Sequence, residues 1–269
     1  MNMRNYITLL LLIFSAASFS QNNTTETEPF GNPLITHMYS ADPSARVFGD
    51  TLWVYPSHDK DDARSFSMED YHVYSTTDMK TWKDHGVIFN PIKQTTWAKS
   101  AAWAPDCVYR NGKYYLYYPT DKRHIGVAVS DKPYGPFHDP LGRPLLSIDS
   151  PGVICDRDFI DPCVFIDDDG QAWVCWGNPQ LYYLKLNEDM ISYEGDLIVA
   201  DMTEEAFGAP IGKNREKGKK YKDSYVEGPW LTKRNGTYQL IYAAGGVPEH
   251  ISYSTATSPT GPWKYAGEI

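Results

Sequence analysis

Residues 41–59, ADPSARVFGDTLWVYPSHD, run in a fixed order: an acid, a short apolar strand, a glycine turn and an aromatic strand. The order returns in PDCVYRNGKYYLYYPTD (105–121), IDPCVFIDDDGQAWVCWG (160–177) and VEGPWLTKRNGTYQLIYAAG (226–245), which places Asp42, Asp106, Asp161 and Glu227 at one repeating position. A period of this size means an array of like units. Gly49-Asp50, Asn111-Gly112, Asp169-Gly170 and Asn235-Gly236 supply the positive φ that tight β-turns require, and β-branched and aromatic residues flank them as strands prefer. Each hairpin is followed by a third strand and a return that ends on an aromatic, at Trp82, Phe137, Tyr193 and Trp263. Four strands per unit is the pattern of a propeller blade. No long stretch has helical period; Met202–Phe207 has room for one or two turns. The fold expected is all-β, with first strands lining a central channel and their acids converging on one mouth.

Working outward, residues 1–20 combine Arg4, an apolar run from Tyr6 to Phe14, and small residues Ser18 and Ser20, the form of a signal peptide. Residues 21–31 read as a polar leader, 32–269 as one propeller domain, and the mature protein as secreted or periplasmic without a membrane anchor. A formal net charge of −9 argues against a nucleic-acid partner. The Lys-rich stretch from Lys213 to Lys222 reads as a solvated loop. Four cysteines follow no zinc spacing, and no metal ligands are assigned. Cys163 and Cys175 lie symmetrically about Asp169, where a disulfide is sterically open but buried free thiols are the preferred reading.

Glycosidic hydrolysis needs a carboxylic acid to protonate the leaving oxygen and a carboxylate to activate water or attack carbon. Glu227, before Gly228-Pro229-Trp230, has the apolar setting of a general acid. Asp42, among small polar neighbours, is expected to stay ionised as a base, and Asp161 supplies a third negative charge that tunes the acid. The plainer alternative is that each acid caps a turn, with proline after Asp42 and Asp161 restricting the backbone. Trp103 is placed either as an apolar wall for a sugar or in the core. His58 and Asp59 are placed to meet sugar hydroxyls or a neighbouring loop. Asp106 is read as structural or substrate-binding, Trp97 as a pocket-rim or ordinary surface aromatic, and Tyr114–Tyr118 as strand packing.

Asn32-Pro33-Leu34, ADPSARVF, YPSHD, WAPD (103–106), IDP (160–162) and VEGPW (226–230) together resemble glycoside hydrolase family 43. That resemblance implies a five-bladed β-propeller and inverting hydrolysis, with Asp42 as general base, Asp161 as pKa modulator and Glu227 as general acid. The substrate it suggests is an oligo- or polysaccharide such as arabinoxylan, cut by exo-acting release of arabinofuranose or xylose. Endo-arabinanase or galactosidase activity, or sugar binding without turnover, are the alternatives. No cofactor is required for the chemistry; a structural cation at the propeller centre is implied for the complete domain, near a His from the fifth blade. Only four repeats are counted, so an incomplete ring, as in a fragment, is expected, with closure as a four-bladed propeller the alternative.

Overall fold

A computed structural model describes residues 33–155, 157–210, 223–246 and 248–269. The signal-peptide and leader expectations and the Lys213–Lys222 run lie outside these residues. Among the described residues no helix is long and apolar enough to cross a membrane.

The four repeats form four antiparallel four-stranded sheets, each a simple meander, arranged as propeller blades. The first comprises β1 (Ser40–Phe48), β2 (Thr51–Asp59), β3 (Met68–Thr76) and β4 (Lys83–Phe89). The second holds β5 (Asp106–Arg110), β6 (Lys113–Thr120), β7 (His124–Ser130) and β8 (Leu146–Ser147), after a short helix α1 (Pro91–Gln94). The third holds β9 (Cys163–Ile166), β10 (Ala172–Trp176), β11 (Tyr182–Leu186) and β12 (Ile198–Val199). After α2 (Glu204–Phe207), where helical turns were expected, the fourth holds β13 (Tyr225–Arg234), β14 (Thr237–Gly245), β15 (Glu249–Ala256) and β16 (Lys264–Glu268). The hairpins turn where the sequence placed them: Asn111-Gly112 and Asn235-Gly236 both have positive φ at each residue, the geometry that matches strand twist.

Sheets one to four stack face to face in succession through three aromatic-rich layers. Trp53, Tyr55 and Tyr71 meet Cys107, Leu116 and Tyr118 between the first two sheets. Tyr117 and Ile125 meet Val174, Trp176 and Tyr182 between the next two, and Tyr183 and Cys175 meet Leu231, Leu240 and Tyr242 between the last two. Large rings suit a gap that widens away from the axis, and several donate a polar tip across it: Tyr55 Oη to Pro133 O at 2.8 Å and Tyr225 Oη to Gly177 O at 2.8 Å. Tyr115, Tyr117 and Tyr118 are buried strand residues, in line with the packing expectation. Trp97 stacks on Tyr118 and donates to Asp139 Oδ2 at 2.8 Å, at the edge of the first layer. Cys163 and Cys175 do face each other in register, both as free thiols.

The first strands adjoin in order, β1 to β5 to β9 to β13, and one side chain ties them together. Arg46 on β1 donates Nε to Asp106 Oδ1 at 2.9 Å and Nη2 to Asp106 Oδ2 at 2.5 Å on β5. The same Nη2 reaches Val164 O on β9 at 2.9 Å, while the guanidinium lies 4.2 Å from the Trp230 ring centre on β13. Val164 N–H donates back to Asp106 Oδ2 at 2.7 Å. Burial opposes the Arg46 charge, and Asp106 more than restores it. A bidentate, fully bonded pair of this kind is costly to break from one side.

Candidate active site

Above this buckle the first strands depart from regular geometry. Asp42 sits in the register shift between Ala41 and Ser44 of β1, and Glu227 is flanked by shifts on both sides in β13. Such bulges re-aim side chains out of the pleat. Asp42 and Asp161, each followed by proline, take left-handed backbones at φ 47° and 59°, a conformation uncommon for non-glycine residues and concentrated at functional positions.

The result is a cavity of about 560 Å³ lined by Asp42, Asp161 and Glu227 together with Trp103, Asp106 and Trp230. Asp161 Oδ2 accepts the Gly228 N–H at 3.0 Å, joining the third acid to the strand that carries Glu227. Burial, then Glu227 and Asp42, push the Asp161 carboxyl well above its ordinary range, against the pull of the Gly228 hydrogen bond. Burial, then Glu227 and Asp59, push Asp42 up as well. Asp42 is accessible from the cavity, yet on a concave wall protein and other acids surround it. Asp42 and Asp161 so placed hold their protons to higher pH than isolated carboxyls do.

Asp106 stands apart. It lines the floor, but at 1% exposure both its oxygens are taken by Arg46 and the Val164 N–H. Its place is structural rather than substrate-binding. Trp103 is half-buried at the wall; its Nε1 donates to Phe66 O at 3.2 Å, and Lys122 Nζ lies 4.6 Å from the ring centre. Phe66 meets Trp103 edge-on at 6.1 Å and is 76% exposed, so the mouth carries an apolar lip.

His58 does not reach the cavity. Its Nδ1 bonds Asp70 Oδ1 at 2.7 Å on the other face of the first sheet. Asp59, next along β2, does not line the cavity either, though its charge is felt at Asp42.

Sequence reading missed Asn178, whose Nδ2 donates to Glu227 Oε2 from the turn after β10. It also missed Arg157, Lys122 and Asp158 at the wall; Asp158 lies 3.7 Å from both the Lys122 and Arg157 nitrogens. Only the polar loop around Phe66, with one large aromatic and no strand pattern, carried a usable signal.

Among the described residues at the propeller centre, the central cation implied for the complete domain would meet one buried carboxylate. Asp106, the carboxylate between the first strands, is already committed to Arg46.

The family model described as Glycosyl hydrolases family 43 matches residues 30–268. The chain is 33% identical to xylosidase/arabinosidase 43A of Humicola insolens, over 88% of this chain and 82% of that one. It is 36% identical to a β-D-galactofuranosidase of Aspergillus niger, over 89% of this chain and 67% of that one. An α-L-arabinofuranosidase from Clostridium thermocellum superposes with a TM-score of 0.72 at 37% identity, covering 88% of this chain and 75% of that one. With the carboxylate cavity at the mouth of its blades, the chain therefore belongs to glycosyl hydrolase family 43 and is an O-glycosyl hydrolase.

Proposed function

We propose that this hydrolase is exported and exo-acting, inverts configuration, and releases arabinofuranose or xylose from plant cell-wall polysaccharide such as arabinoxylan. The observation that carries the reading is the convergence of Asp42, Asp161 and Glu227 on one cavity. Its volume of about 560 Å³ suits a short saccharide end rather than a long chain. The arabinosidase and arabinofuranosidase relatives favour a pentose, and the apolar Tyr6–Phe14 stretch favours export.

In this reading Glu227, held by Asn178, donates its proton to the leaving oxygen. Asp42 takes a proton from a water that attacks the anomeric carbon from the opposite face. One displacement inverts the centre, and it requires an acid-to-base gap of about 6.5–9.5 Å to admit the water. Asp161 tunes the acid by charge and anchors its strand through Gly228. Trp103 and Phe66 offer apolar surface to the sugar faces.

Proton NMR of the first sugar released from aryl arabinofuranoside and aryl xyloside tests this directly. The inverted anomer is expected; a retained anomer overturns the roles of Asp42 and water. Faster cleavage of an aryl galactofuranoside would instead move the substrate from pentose to hexose.

A further inference from the structure

We propose that His58, Asp70 and His72 form a binding site for a divalent transition-metal ion of the zinc type, on the first blade and separate from the carboxylate cavity. Each residue offers one donor atom, and the three donors lie within 4.8 Å of one another. The placement follows from the sheet. Asp70 and His72 are two apart on β3 and so share a face. His58 joins them from β2, where the register shifts between Ser57 and Asp59. This face is opposite the one on which Tyr71 and Val73 pack into the core, so no catalytic group competes for the ion.

Two imidazoles and a carboxylate are the donors that zinc, cobalt and nickel favour over magnesium or calcium. The rings stand edge-to-face with centroids 4.9 Å apart. Donors around a tetrahedral zinc at about 2.0–2.2 Å lie about 3.3–3.6 Å apart, so closure needs side-chain shifts of about one ångström. A neighbouring carboxylate orients one ligand: Asp84 Oδ1 lies 3.3 Å from His72 Nδ1 and is fixed by the Gly86 N–H at 2.7 Å. Its other oxygen bonds His37 Nε2 at 2.9 Å. With Nδ1–H directed to Asp84, His72 keeps its Nε2 lone pair for a metal, the arrangement by which outer carboxylates set a ligand tautomer. Access exists as well: the His58, Asp70 and His72 side chains are 30%, 18% and 13% exposed. Tyr74 stacks on His72 at 6.4 Å and borders a cavity of about 750 Å³ beneath residues 33–40. With three protein donors, water completes the shell.

The test is calorimetric titration of chelator-treated protein with zinc chloride, paired with the visible spectrum after cobalt addition. One equivalent of zinc and a cobalt d–d band are expected in the unaltered chain. His72→Gln and Asp70→Asn should abolish both, with folding checked by circular dichroism, and Asp84→Asn should weaken zinc by about 10- to 100-fold. Asp42→Asn, in the other cavity, should leave zinc binding unchanged. Absence of stoichiometric binding in the unaltered chain overturns the proposal. So does binding that survives His72→Gln, or that Asp42→Asn removes. The cobalt spectrum needs no variant, so a misfolded mutant does not shield the proposal.

Discussion

Asp106 and Asp161 occupy the same place in their repeats and do opposite work. Asp106 is in the ladder, paired with Tyr117 and locked to Arg46; its charge is balanced and it joins blades. Asp161 stands before its strand on a left-handed backbone, facing Glu227 and Asp42; its charge is opposed and it belongs to the site. The side on which proline falls distinguishes them. Proline follows Asp161 and Asp42, but precedes Asp106. A repeated acid thus becomes a structural ion pair or a member of the reactive cluster according to local backbone, and the two outcomes respond oppositely to mutation.

The largest effects are expected where the cluster loses the groups proposed to move protons. Glu227→Ala and Asp42→Ala should each lower kcat/KM on an aryl glycoside by about 10²–10⁴-fold, with melting temperatures changed little. Cleavage that persists in both variants removes the cluster from the mechanism. Next comes the buckle. Arg46→Met leaves the Asp106 charge buried and unpaired, and should cost about 3–5 kcal/mol, a fall of about 6–20 °C in Tm. Adding Asp106→Leu should recover much of that loss. A double variant no more stable than the single one would show that the pair itself, not the stranded charge, holds the strands.

The fold was legible because its determinants are local. Asn111-Gly112 and Asn235-Gly236 fix turns, and the flanking aromatics fix strands, within a few residues. The acids were legible for the same reason, since each begins a repeat. The partners that hold them in those different roles were not. Arg46 meets Asp106 across 60 residues, and Asn178 meets Glu227 across 49; no periodicity encodes either contact. His58 and Asp59 show the same limit on a smaller scale. Adjacent strand residues point to opposite faces, so one pairs with Asp70 and only the other is felt at Asp42. The setting of Asp42 was half legible: its sequence neighbours are small and polar, while Glu227 and Asp59 come near it only in the fold.

A smaller effect sharpens the electrostatic side of the comparison. In its proposed role as base, Asp42 must lose its proton, so activity should rise with pH through its raised pKa, above the ordinary 3.8. Asp59 is the third cause of that rise, after burial and Glu227. Asp59→Asn should therefore move the acidic limb of the kcat/KM profile to lower pH; an upward shift would contradict the assignment of that limb to Asp42.

The most direct measurement is the thermal melting of Asp161→Asn and Asp106→Asn side by side at pH 7. Folding raises the Asp161 pKa, so the folded chain holds that proton more tightly than the unfolded chain. Stability is therefore lost as pH climbs from about 3.8 toward the raised value, and a neutral Asn escapes the loss. Asp161→Asn should melt above the unaltered chain, by a margin that closes as the pH falls toward 3.8, while Asp106→Asn should melt below it. Destabilisation by Asp161→Asn, or stabilisation by Asp106→Asn, would contradict the division between a strained reactive acid and a paired structural one.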